Sequence, residues 1–255
     1  MLSVGSGTST YYGDLKDPGF GIDPKININL GIQKFIGNRI IARFEADYFT
    51  LRGDDASSSP DGGRVSRNLS FKSSNFELSL TGQINLLPTG QRFYQRPNVN
   101  VYGFVGAGMA YINPKAEYNG QTYALQPLQT EGVKYGKFAT VIPYGIGVRF
   151  KAGPFFNVAI ENGWRIMFTD YLDDVSTVHP DKSSWTDPIR IALSDRGPEV
   201  GAAPRAVGSI RGNSSKNDSY HLLNIKIEYY LPFEIFGSQN RRLYNSKRKQ
   251  YYRRR

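Results

Sequence analysis

Cysteine is missing from the 255-residue chain, which rules out a disulfide frame, a thiolate metal site and a cysteine nucleophile. Histidine is nearly missing too: His179 and His221 are the only two. No GxSxG, HExxH or P-loop signature occurs, so the common hydrolase, metalloprotease and nucleotide-binding readings have no motif to stand on. No stretch of about 18 predominantly apolar residues exists, which excludes a helix that crosses a bilayer, and the overall hydropathy is negative. The N-terminus lacks a basic segment followed by an apolar one; for a membrane chain this implies a mature form whose signal has been removed.

What is present instead is alternation. In residues 75–86, Phe76, Leu78, Leu80, Ile84 and Leu86 share one face, while Asn75, Glu77, Ser79, Thr81, Gln83 and Asn85 share the other. Successive side chains of a strand point to opposite faces, so such a segment has one oily face and one wet face. The same pattern recurs in residues 40–51 and 26–32. It returns in 138–150, 156–168 and 223–231. Residues 99–111 are softer because of Gly103, Gly106 and Gly108, and residues 3–13, almost all Gly, Ser, Thr and Tyr, are softer still. Eight strands are expected.

A soluble β-sandwich also alternates. Length decides against it: most of these runs are about 10 to 13 residues, enough for a tilted strand to cross a bilayer, where soluble strands more often have about 5 or 6. Aromatic residues crowd the run ends, among them Tyr11, Tyr12, Tyr48, Phe49, Tyr111, Phe156, Phe168, Tyr171, Tyr229 and Phe233, and interfacial girdles account for that placement. Connectors alternate in length. Tight ones fall at Gly37 and Asn38, at residues 152–155 and at 88–97; long ones fall at 15–23, 53–70, 113–136 and 170–218. Outer-membrane barrels keep short turns in the periplasm and long loops outside. The expected fold is therefore an all-β, eight-stranded antiparallel up-and-down transmembrane barrel over residues 1–232. Its loops are extracellular, and both termini and a basic tail at 233–255 are periplasmic.

The inward faces collect Arg43, Arg149, Arg165 and Lys226 against Glu45, Asp47, Glu77, Glu161 and Glu228. An eight-stranded barrel is only wide enough for its own side chains, and buried charge must be paired. A salt-bridged plug is expected, not a channel. The net charge of +10 resides mostly in the tail, where Arg241, Arg242, Lys247, Arg248, Lys249, Arg253, Arg254 and Arg255 stand without one acidic residue. Elsewhere such a segment suggests nucleic acid; in the periplasm the expected partners are anionic headgroups, peptidoglycan-associated acids or an acidic protein face. At the opposite end Asp170, Tyr171, Asp173 and Asp174 close a strand and open the longest loop. They are expected at the outer rim, capping the loops, touching another protein or holding a cation. Asp173, Asp174, Asp181 and His179 could be combined into an acid–base set, but a loop histidine beside Pro180 reads as exposed loop, and no enzyme is expected. Arg52, Gly53 and Asp54 read as a turn entered from a strand.

Five runs carry a resemblance: YYGDL (11–15), LRGDDA (51–56), RNLSFKS (67–73), NPKAEYNGQTYALQPLQTEG (113–132) and FTDYLDDVS (168–176). Together they resemble the PorG family, outer-membrane barrels of the type IX secretion system of Bacteroidota. The resemblance spans most of residues 11–231. It implies a non-enzymatic protein-transport component, without cofactor, associated with a periplasmic ring of the PorK lipoprotein and PorN and with outer-membrane lipid, in systems linked to gliding motility. Docking of the ring by the basic tail is the expectation that joins the two readings. The alternative is a small outer-membrane barrel that binds a ligand or surface polymer through its extracellular loops.

Overall fold

A computed structural model describes residues 1–16, 24–58, 63–89 and 96–231. The eight tail cations, and Phe233, lie outside these residues. Ten strands form one sheet: β1 (Leu2–Tyr12), β2 (Lys25–Phe35), β3 (Ile40–Asp54), β4 (Ser70–Asn85), β5 (Val99–Tyr111), β6 (Pro114–Tyr118), β7 (Gln121–Ala124), β8 (Phe138–Lys151), β9 (Phe156–Met167) and β10 (Ser219–Tyr229). Eight of them close a barrel in sequence order, each antiparallel to the next, with β10 returning to β1. The closing ladder aligns Leu2 with Tyr229 and Tyr12 with Ser219. β6 and β7 are a hairpin that leaves the barrel wall from β4.

The alternation dictates this closure. On β4 every second residue is buried from Phe71 to Asn85, while Leu80 and Ile84 stay 61% and 65% exposed. Polar and charged side chains fill the inside, and leucine, isoleucine, valine and aromatic rings cover the outside. A water-soluble domain would be inside out with this distribution; in hydrocarbon a closed barrel leaves no backbone edge unsatisfied, and the apolar wall meets lipid. The glycines that soften β5 and β8 have a packing reason. Tyr102 lies opposite Gly147 in the ladder, and a Cβ at Gly147 would come within 2.4 Å of the Tyr102 ring. The ring occupies the space a side chain would need.

All eight expected strands are present, and their ends shift. β4 starts at Ser70 and β10 at Ser219, several residues before the alternation becomes strong. Short connections at 36–39, 86–98 and 152–155 gather at one end; the long loops gather at the other. Outward rings form two belts. Tyr12 meets Trp164 at 5.5 Å and Tyr111 meets Phe138 at 5.4 Å at the loop end, and Phe156 meets Tyr229 at 5.0 Å at the turn end. Tyr11 and Phe49 are not in a belt, contrary to the expectation: both have inward parity and are buried. Tyr171 is also elsewhere, stacked on Tyr135 at 4.6 Å within the loops.

Candidate functional site

The lumen comes first because its side chains are fixed by strand parity alone. Arg43 reaches across from β3 to Glu161 on β9, Nη1 to Oε2 at 2.5 Å and Nη2 to Oε1 at 3.1 Å. Lys226 on β10 bridges the same carboxylate, at 2.8 Å, to Glu45, at 2.6 Å. The Tyr102 hydroxyl donates to Glu161 as well, at 3.0 Å. Toward the turn end, Arg149 holds Glu228 through two hydrogen bonds of 2.6 and 2.9 Å, and Gln33 and Asn157 donate to that carboxylate at 3.0 and 3.1 Å. Toward the loop end, Arg165 lies 3.4 Å from Glu77, which also accepts from the Tyr220 hydroxyl at 2.5 Å. The structure thus places all nine lumen charges inside and cross-links five strands through them. Asp47 is the exception among the acids: it is wholly buried, and neither oxygen has a hydrogen-bond partner.

Above this polar column the character inverts. The inward residues at the loop end of the strands are apolar, Tyr11, Phe49, Leu51, Phe71, Val141, Met167 and Leu222 among them. Loop residues Leu15, Leu69, Leu125, Leu172, Val175 and Leu193 pack down onto them. The result is a hydrophobic roof across the mouth of the barrel. Burial of this kind is worth about 1.5 to 3 kcal/mol per large side chain, and it explains why Tyr11 and Phe49 turn away from lipid. The five sequence runs that carry the family resemblance meet here: each contributes apolar residues to the roof or polar residues that pin it.

The pins are the loop-end acids. Asp173 accepts the Tyr11 hydroxyl and the Val175 N–H. Asp174, at φ 69, accepts from the Thr130 and Tyr135 hydroxyls, which offsets the cost of a left-handed non-glycine residue. Asp218 accepts the Leu172 N–H at 2.9 Å. Glu131 takes the N–H groups of Ser176 and Thr177 at 2.9 and 3.0 Å and an ion pair from Arg211 at 2.9 Å. Burial pushes Asp170 up to about 7 and Asp174 up to about 6, and drives Asp173 and Asp218 well above the ordinary carboxylate range; for Asp218 the neighbouring Asp173 and Asp170 add to it. Asp170, Asp173 and Asp174 are buried inside the cap at the loop end.

The acid–base set does not assemble. His179 is buried, not exposed as its place beside Pro180 suggested, and its Nδ1 has no partner. Asp173 and Asp174 spend their oxygens on hydroxyls and backbone, and Asp181 accepts the Ser183 N–H at the surface. His221 faces outward, against Asn162 and the Trp164 ring. Among the described residues no group of three or more His, Cys, Asp or Glu is placed to hold a metal ion. Arg52 and Asp54 form an ion pair of 3.0 Å, and Asp54 caps the short turn that follows.

Sequence reasoning missed three things here. The β6–β7 hairpin has its turn at Asn119 and Gly120, both at positive φ, the usual demand of a type I′ hairpin and the reason for the Asn-Gly pair; that dipeptide was a readable signal. The helix α2 (Pro188–Ser194), capped by Asp187, had proline after aspartate as its start mark. The roof had a fainter one, the loss of alternation where strand residues turn apolar on both faces.

No protein-family model matches this sequence, and no curated protein matches it. Solved structures that resemble it include Neisserial surface protein A, at 9% identity and a TM-score of 0.42 over 90% of this chain and 96% of that one. The outer membrane protein OprG from Pseudomonas aeruginosa gives 8% identity and 0.42 over 90% and 96%. Ail, the attachment invasion locus protein of Yersinia pestis, gives 11% and 0.41 over 89% and 95%. Likeness at this level carries no argument about activity, and the barrel rests on its own strand pairing.

Proposed function

We propose that this chain is an outer-membrane barrel that works as a sealed, non-catalytic anchor, and that it serves type IX secretion by holding a periplasmic ring of the PorK lipoprotein and PorN to the membrane. The observation that carries the reading is the double closure of the barrel. A charge-paired lumen lies under an apolar roof, so the charges of the interior are committed to holding the barrel together. An apolar exterior and a closed sheet suit a bilayer. The outer membrane is the setting in which barrels with short turns on one side and long loops on the other are found. With the turns in the periplasm, the chain beyond Leu231 leaves on the periplasmic side, where the cations from Arg241 to Arg255 can meet an acidic surface. The secretion role itself is supported by the five family-like runs and by their convergence on one structural unit.

The test is copurification from detergent-solubilised outer membranes, comparing the full chain with one ending at Phe236. PorK and PorN retained by the full chain and lost from the shorter one are the expected result. Retention by both moves the contact to the barrel wall or turns. Retention by neither removes the secretion role and leaves a sealed barrel whose loops become the functional surface.

A further inference from the structure

The cap holds a feature that neither plug nor roof requires. A recess of about 700 Å³ lies between the start of the β1–β2 loop, the turn at 63–67 and the closing part of the β9–β10 loop. Lys16, Arg64, Arg67, Arg205, Arg211 and Lys216 line it, with Asp14 as the one carboxylate among the described residues of the wall.

Four of the cations have partners in the architecture: Arg64 donates to the Asp14 carbonyl at 3.2 Å, and Lys16 lies over the Tyr12 ring. Arg67 grips Asp55 through two hydrogen bonds of 2.7 Å each, and Arg211 is held by Glu131 and by the Asp174 carbonyl. Arg205 and Lys216 are different. Arg205 donates to the Ser66 hydroxyl at 2.6 Å, an uncharged partner, and its Nε is buried with none. Among the described residues neither side chain forms an ion pair. One oxygen of Asp14 accepts the Asn213 N–H at 2.7 Å. His179 stands in the same wall, buried, with Nδ1 unpartnered. Its burial, and then the Arg211 charge, lower its pKa to about 4, so the ring is neutral.

A recess with two cations that form no ion pair among the described residues, and with an orphaned polar nitrogen, is shaped for an anion. A guanidinium fork and an ammonium in one wall suit the tetrahedral, multiply charged oxygens of phosphate better than a single carboxylate. The volume exceeds one phosphate and falls within the range of small-ligand sites. Its position narrows the source. Lys16 lies 4.3 Å over the Tyr12 ring, and Tyr12 packs on Trp164 in the outward belt of the loop end, so the recess borders the level at which headgroups lie.

We infer that this recess is a binding site for a phosphate-bearing ligand, either the phosphorylated headgroup of a lipid in the adjoining leaflet or a free phosphosaccharide. The site does not depend on the secretion reading, which needs no ligand at this end. The full chain in phosphatidylcholine nanodiscs, titrated calorimetrically with inorganic pyrophosphate, tests it. Pyrophosphate is expected to bind, and R205Q/K216Q to weaken that binding at least tenfold, while K115Q/K134Q, changed elsewhere on the loops, leaves it unaltered. Discs doped with bisphosphorylated lipid A separate the sources: lost pyrophosphate binding assigns the site to a headgroup, and retained binding assigns it to a soluble phosphate. Absence of pyrophosphate binding in the undoped discs, or equal binding by R205Q/K216Q, overturns the inference. Should the double variant fail to fold, Lys216→Gln alone, at an exposed side chain, carries the same comparison with a loss of at least threefold.

Discussion

Single residues in the lumen differ in worth despite equal burial. Glu161 accepts from Arg43, Lys226 and Tyr102 at once, so Glu161→Gln leaves two buried cations to share Glu45 alone and is expected to cost about 3 to 5 kcal/mol. Neither oxygen of Asp47 has a hydrogen-bonded partner, so Asp47→Asn is expected to leave stability unchanged or raise it, because a buried carboxyl group without a partner is itself a cost. Urea unfolding of both variants in lipid, followed by gel mobility of the folded barrel, checks the pair; the ranking reverses if the lumen is hydrated enough to screen its charges. All nine of these residues were legible beforehand because strand parity is a period-two property. Who pairs with whom was not, because partners such as Arg43 and Glu161 sit 118 positions apart in the chain and meet only after closure sets the register.

At the level of elements, the strands were readable and the cap was not. A strand announces itself within a dozen residues, whereas the roof is assembled from the ends of several strands and three or more loops, none apolar enough alone to stand out. The cap also has its own pH response. Asp170, Asp173, Asp174 and Asp218 hold their protons more tightly folded than in an opened loop, where carboxylates titrate near 4. Stability from these groups is complete at low pH and is lost as pH rises through the folded values of about 6 for Asp174, about 7 for Asp170, and higher for the others. His179 runs the other way and gains stability for the cap between about 4 and 6.5. Above 6.5 only the carboxylates still change, so the cap is expected to loosen from there to about pH 8. Hydrogen exchange at the Leu172 and Val175 amides, corrected for intrinsic rate, should accelerate over that interval, and Asp170→Asn should flatten the rise. A cap equally protected across it contradicts the assignment.

For the molecule as a whole, double closure predicts electrical silence. Wild-type barrels in a planar bilayer should pass no steady ionic current. A variant combining Arg43→Ala with Glu161→Ala should remain silent too while the roof is intact. Current should appear only when roof residues such as Phe49 and Leu172 are also cut to Ala; current through the wild type would refute the seal. The β1–β10 ladder bears on a different property. The last strand is fixed along both sides, by eleven paired positions to β1 and eleven to β9, and the chain then runs out past Leu231. Force applied to that outgoing segment along the barrel axis loads both ladders in shear, so their hydrogen bonds resist together and do not peel one after another. The barrel is therefore built as a mechanical root: a tether drawn from its C-terminal strand meets the resistance of two full seams before the first of them slips.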